Sequence, residues 1–242
     1  MIEQLESHGG NVSLQSFTGN DPHAGQSRSL TNIIARFGDA DKPQLMLCAH
    51  WDTRPVADRE RDPLRRAQPI LGANDGASGV AVLLEIARII SVNPPDKSVI
   101  IVFFDGEDLG RESHPEEYAL GARYFALHPP PDLPLPSEAV LLDMIGDADL
   151  EIPIEWYSGR HASSLRRTLW SIASEIGSTA FVDAPGPAIE DDHVPLIKAG
   201  IPAVDLIDFD YPFWHTLHDT PDKCSSSSLG QVGRVLVEYI YH

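Results

Sequence analysis

Side chains able to bind a hard metal ion recur at five places where an apolar run gives way to a loop. His50 and Asp52 follow QLMLCA, Asp75 lies in the small-residue turn GANDGAS, and Asp105, Glu107 and Asp108 follow VIIVFF. Asp143 closes AVLL, and His215 stands in PFWHT. Imidazoles and carboxylates without a thiolate make an N/O donor set of the kind zinc accepts. Zinc needs three or four such donors, so the set serves two ions, or one ion beside carboxylates that move protons. Taken singly, most of these residues have plainer uses: His50 as a strand cap, Asp52 as a loop acid, Asp75 as an Asx-type turn residue, Asp143 as a lone strand-end acid. The neighbours Glu107 and Asp108 resist that reading, because two like charges on a tight Gly turn relax by binding a cation or by a raised pKa. The coincidence of all five places favours metal. His114, His161, His193 and His218 lack such placement and are read as surface residues or as supports behind the ligands.

To bring these side chains together, the chain must set its strands side by side with their carboxyl ends at one rim. Asn11–Phe17 alternates with period two, Asn32–Gly38 follows it, and Gln44–His50 is nearly continuous apolar, as a strand covered on both faces would be. Ser78–Ile90 is long, apolar and free of Pro, which predicts a buried helix. KSVIIVFFD, EAVLLDMIG and IPAVDLIDF read as strands, and PEEYALGARYFALH, His161–Gly177, HVPLIKAG and SSSLGQVGRVLVEYIYH as helices. Strands alternating with helices predict an α/β fold, a three-layer sandwich with a central, largely parallel mixed sheet flanked by helices. The sequence 1–242 reads as one domain, with Thr53–Pro69 and the Pro-rich 129–136 as surface excursions.

The balance of 18 Lys and Arg against 36 Asp and Glu gives a net charge of -18, which argues against nucleic acid and against an anionic membrane surface as partners. No run approaches the roughly 20 apolar residues of a membrane span. Cys48 and Cys224 fit no metal spacing and read as free thiols. IEQLESHGG reads as the tail of a helix, so the compartment is left open, with export to a periplasm after loss of a signal as one expectation; a monomer is expected.

The ordered set HWD, GANDGASG, FFDGED, LLDMIG, DDH and WHT resembles the zinc-dependent aminopeptidase superfamily and, within it, the animal-type glutaminyl cyclases, from about Asn11 to the closing VEYIYH. The resemblance implies a zinc exopeptidase fold and a peptide substrate with a free N-terminus. It implies that Asp75, Asp108 and His215 bind one Zn2+, that Glu107 shuttles protons, and that Asp143 and Asp191 act as a catalytic acid pair. It also implies that Trp214 lines the substrate pocket and that His50 and Asp52 stand behind the ligands. In two-zinc aminopeptidases the residues at His50 and Asp143 hold a second ion and Asp75 bridges. Asp108 replaces the commoner Glu, and that shorter arm calls for a backbone shift or a one-oxygen contact. EDDHVPLIKAGIPAVDLI, Trp214 before His215 and the terminal VLVEYIYH resemble cyclases, whereas GANDGASGVA reads as much like an aminopeptidase, and the cyclase disulfide is missing because Cys48 has no partner after Asp75. The expected activity is cyclisation of N-terminal glutamine to pyroglutamate, with aminopeptidase hydrolysis as the alternative and a catalytically silent binding module as the third reading.

Overall fold

The computed structural model describes residues 1–242 apart from Ala40, Pro43 and Pro134, the last of which falls within the Pro-rich 129–136 excursion. A short helix, α1 (Ile2–Ser7), leads into two antiparallel strands, β1 (Asn11–Asp21) and β2 (Gln26–Phe37), which pair from Asn11↔Arg36 to Asp21↔Gln26. The later strands are β3 (Gln44–His50), β4 (Ser98–Phe104), β5 (Glu138–Asp143), β6 (Ile152–Ile154), β7 (Phe181–Pro185) and β8 (Ala203–Ile207). The helices among and after them are α2 (Ala77–Val92), α3 (Leu120–Leu127), α4 (Trp156–His161), α5 (Ser163–Glu175), α6 (His193–Lys198) and α7 (Ser226–Tyr241).

Six strands form one mixed sheet in the order β1-β2-β4-β3-β5-β8, antiparallel through β1, β2 and β4 and parallel from β4 to β8. β3 and β4 are buried at every position, which is why they read as unbroken apolar runs. Period-two alternation sends Leu45, Leu47, Val99, Ile101, Val140 and Leu142 to one layer, where Leu83, Leu169 and Leu236 of α2, α5 and α7 meet them. Met46, Cys48, Ile100, Val102 and Leu141 face the other layer, against Phe125 of α3 and Leu196 of α6. The three-layer mixed sandwich expected from the sequence is therefore the one observed. From β3 the chain crosses to β4 on one side, whereas β5 lies on the other side, so the connections diverge there and open a crevice at the carboxyl ends.

Three expectations change. The segment PEEYALGARYFALH is not one helix: a 3-10 turn, Pro115–Glu117, is separated from α3 by Ala119 in a left-handed conformation (φ 55°). There the Tyr118 carbonyl accepts from Arg123 Nε instead of continuing a helical ladder. His161–Gly177 is likewise divided at Ala162, and α4, β6 and β7 were not anticipated. The loop Thr53–Pro69 is no mere surface excursion, since Arg54 and Ala57 within it are fully buried.

The small residues that open α2 let it lie directly on the sheet. A Cβ on Gly79 would stand 2.3 Å from the Leu142 carbonyl oxygen and 2.8 Å from the Ala49 Cβ. Gly79→Ala should therefore destabilise the protein by about 1–3 kcal/mol through overpacking, although alanine is the better helix former. Urea denaturation measures this, and a gain in stability would mean that the helix has room to move off the strands.

Candidate active site

The parallel register brings the strand ends to one level. His50 pairs with Phe104 at the ends of β3 and β4, and Asp143 with Ile207 at the ends of β5 and β8. Beyond β4 the chain turns at Gly106 (φ 77°), and Asp52 ties that turn down: its two carboxylate oxygens accept the Glu107 and Asp108 N–H groups, each at 3.1 Å. Asp75 precedes α2 at Gly76 (φ 97°), where a Cβ would press on the Asp52 carbonyl at 2.7 Å and on the His50 ring at 3.2 Å. Met144 (φ 46°) and His215 (φ 55°) adopt left-handed backbone without being glycine, a conformation that stored strain often marks at functional sites.

Asp75 joins two triads. Its Oδ1 lies 3.3 Å from His50 Nε2, which is also 3.1 Å from Asp143 Oδ1. Its Oδ2 lies 3.6 Å from His215 Nε2, which is 3.2 Å from Asp108 Oδ1. In each triad, His50–Asp75–Asp143 and Asp75–Asp108–His215, one donor atom per residue falls within 4.8 Å of the others, and all five residues are buried. Asp75 Oδ2 and Asp108 Oδ2 are buried without a hydrogen-bond partner, a costly arrangement that a cation relieves. The donor set and the orphaned atoms fit zinc. Asp108 Oδ1 already accepts from Arg54 Nη1 at 2.9 Å, leaving Oδ2 as its free oxygen and favouring one-oxygen ligation by this short side chain.

The electrostatics point the same way. Burial, and then the charges of Asp191 and Asp108, push the Glu107 carboxyl well above its usual range. Burial, with Asp75 and Asp108 adding repulsion, raises Asp143, and burial with Asp143 beside it raises Asp191 to about 7. His215 is lifted to about 9: burial opposes its charge, but Asp108, Asp58 and Asp75 outweigh burial. The site holds more acid than can ionise without a positive charge among it.

Three supports were not read from the sequence. Asp58 Oδ1 lies 3.2 Å from His215 Nδ1, which turns the other ring nitrogen, Nε2, toward the carboxylates, the arrangement of a carboxylate–histidine–metal relay. Arg54 in turn grips both oxygens of Asp58, at 3.0 and 2.6 Å. Burial would raise Asp58, but His215 and Arg54 hold it well below the ordinary carboxylate range. Asp219, fully buried, accepts the N–H groups of Asn74 and Asp75 and the Tyr211 hydroxyl, fixing the GANDGAS turn.

A pocket of about 330 Å³ opens onto this centre, with Asp75, Glu107, Asp108, Asp143, Asp191 and His215 in its lining. Its apolar wall includes Ile207, Phe209 and Trp214, whose ring lies tilted with its centre 4.9 Å from that of Phe209 and 3.9 Å from that of His215. Asp105 is not part of it; that carboxylate accepts the Thr31 N–H at 2.7 Å and anchors β2. Among the four unplaced histidines, His114, His161 and His218 are exposed, whereas His193 is completely buried beside Glu155 and Asp205, so the surface reading fails for it. Cys48 is buried and Cys224 half-buried, both as free thiols.

The model of Peptidase family M28 matches residues 32–240. The glutaminyl-peptide cyclotransferase of Bos taurus is 26% identical over 88% of this chain and 66% of its own length, and that of Drosophila melanogaster 26% identical over 99% and 73%. The chain thus spans slightly less than two thirds of the bovine relative. Among solved structures, a Bacteroides thetaiotaomicron glutaminyl cyclase bound to N-acetylhistamine superposes with a TM-score of 0.94 at 35% identity, covering 99% of this chain and 86% of that one. A protein described as a leucine aminopeptidase precursor from the same organism matches equally, with a TM-score of 0.94, 35% identity, and 99% and 86% coverage.

Removing the charge behind His215 should loosen the metal without unfolding the protein. Asp58→Asn is expected to weaken zinc retention by about 10- to 100-fold in competition with a chelator. Unchanged retention would mean that the Asp58–His215 contact does not orient a ligand.

Proposed function

The chain belongs to Peptidase family M28, and from that premise we propose that it is a zinc-dependent glutaminyl-peptide cyclotransferase, converting N-terminal glutamine to pyroglutamate with release of ammonia. The observation that carries this reading is the acid group beside a small, aromatic-walled pocket: Glu107, Asp143 and Asp191 line the same cavity as Trp214 and His215. Such a pocket accommodates one side chain and its amide, with a few placed polar groups for orientation.

Asp75, Asp108 and His215 would hold one Zn2+. When bound, that ion supplies Lewis-acid polarisation of the γ-amide carbonyl. The protein's own residues do the rest. Trp214, Phe209 and Ile207 enclose the glutamine side chain so that its α-amine faces the γ-carbon, and the intramolecular attack gains most from orientation. The new bond joins the α-nitrogen to the γ-carbon, and the bond from that carbon to the amide nitrogen breaks. Glu107 takes the proton released by the α-nitrogen and delivers it to the leaving nitrogen, which departs as ammonia. Burial, with Asp143 beside it, raises Asp191 to about 7, so this acid pair would keep a proton available near Glu107.

A second reading, zinc aminopeptidase, is favoured by the His50–Asp75–Asp143 triad, which offers donors for a second ion and for hydrolysis by activated water. Substrate choice lies in the pocket rather than the fold, so the product decides.

Incubation with a glutaminyl peptide should release ammonia and leave a pyroglutamyl peptide of otherwise unchanged length, while leucyl amide stays intact. Liberation of a free amino acid from either substrate would replace the cyclase reading with the hydrolase. Glu107→Gln should keep zinc at wild-type stoichiometry and lose about 10²- to 10⁴-fold in turnover, the usual worth of a placed acid–base group. Loss of the metal in that variant would make Glu107 a ligand instead.

A further inference from the structure

The reaction scheme leaves one group of buried polar side chains unused. It surrounds His193, the first residue of α6, directly after Asp191 and Asp192. The imidazole has no exposure; its Nε2 lies 3.2 Å from Glu155 Oε2 and its Nδ1 3.5 Å from Asp205 Oδ2. Asp205 sits within β8, and its N–H donates to Ser158 Oγ at 2.9 Å. Glu155 precedes α4 and caps it, accepting the N–H groups of Tyr157 and Ser158 and the Ser158 hydroxyl. An ordinary cap would need no more.

Glu155 does more. Its Oε1 also accepts the Ile189 N–H at 3.2 Å. One carboxylate therefore meets the chain on both sides of Asp191, through a hydrogen bond from the Ile189 N–H and through a close contact of 3.2 Å with the His193 ring, two residues before and two after it. The segment between these tethers is pocket wall, for Ile189, Glu190 and Asp191 all line the cavity. Burial would raise the Glu155 carboxyl, but the neighbouring imidazole and the N–H donors bring it down to about 2, so the tether stays charged. Packing alone gives no reason to bury an imidazole between a helix-capping glutamate and an acid in a strand; holding the loop that carries Asp191 does.

We propose that Glu155 and His193 are positioning residues that fix Asp191 at the reacting site, so that this buried clamp governs turnover rather than substrate affinity. The proposal rests on the reading of Asp191 as a proton-handling acid. It assigns no contact with substrate to either residue, and it takes the clamp as a positioning contact, not as a metal site, although Asp191, His193 and Asp205 carry donor atoms close enough to hold a cation.

A double-mutant cycle tests it. His193→Asn, which reaches Asp205 but not Glu155, should lower kcat by about 10- to 100-fold while KM barely changes, the usual cost of a misplaced group at the reacting atoms. His193→Gln, whose amide reaches Glu155, should recover part of that loss. In an Asp191→Asn background the His193→Asn loss should disappear, because a clamp cannot misplace an acid that is gone; losses that multiply would overturn the proposal. Hydrogen exchange gives a readout independent of activity. The amides of residues 189–192 should lose protection in His193→Asn while those of β3 and β4 keep theirs, and unchanged protection at 189–192 would also overturn it. Zinc content should equal that of the wild type, and the loss of a metal equivalent would make the cluster a cation site and refute the clamp. Should His193→Asn fail to fold, Glu155→Gln, which keeps an oxygen for the Ile189 N–H, carries the same cycle. If the protein instead releases a free amino acid, the cyclase reading falls, and the cycle is then measured on that product, so the two failures stay separate.

Discussion

Everything in this protein is arranged around carboxylates taken out of water. Asp75, Asp108, Asp143, Asp191 and Glu107 are all buried at the carboxyl end of one sheet, the first three beside the imidazoles of His50 and His215. In a low-dielectric interior such charges repel one another strongly, and they persist only where something positive compensates them. Arg54 and the two imidazoles compensate in part. Asp75 has its two oxygens directed at different histidines, which links the triads and leaves orphaned donor atoms for a cation.

The fold meets the cost of this crowding with supports that the reacting groups do not supply. Asp52 grips the Glu107–Asp108 turn, Asp219 grips the Asn74–Asp75 turn, and Asp58 with Arg54 stands behind His215. Glu107, Asp108, Asp75 and His215 are thus each held by a second acid at the backbone or ring. Left-handed backbone at Met144 and His215 and the close approach at Gly76 belong to the same arrangement: they aim side chains into the crevice at some local conformational cost. Rigid strands end at the rim, the short turns after them aim the candidate ligands, and Phe209 and Trp214 pack against each other in the pocket wall.

Much of this was legible in the sequence, because strand ends announce themselves. Apolar runs that stop at His50, Asp105 and Asp143 can be read from hydrophobic pattern, and His50, Asp143 and the Glu107–Asp108 pair stand at or just beyond those stops. The adjacent pair Glu107–Asp108 was informative for the same reason that it is unfavourable. The supports were not legible. Asp58 and Arg54 lie in a charge-rich stretch that looks like a solvated loop, and only the tertiary structure folds that stretch over the candidate ligands. Glu155 lies outside every periodic segment and acquires its meaning from Ile189 and His193, more than 30 residues away. His193 could be read only as a surface residue or a support behind the ligands, because a histidine at the start of a short helix has no local signature of burial. The helix break at Ala119 was likewise hidden, because the Ala119 and Leu120 N–H groups donate to the Glu107 and Gly106 carbonyls, more than ten residues back.

The account stands on one claim, that the strand-end carboxylates and imidazoles hold zinc through nitrogen and oxygen alone. X-ray absorption at the zinc edge on the protein as purified, together with metal stoichiometry, tests that claim most directly. The account predicts at least one zinc per chain with an N/O shell at about 2.0–2.2 Å and a detectable imidazole contribution. A sulfur shell at about 2.3 Å, or active protein free of zinc, would contradict it.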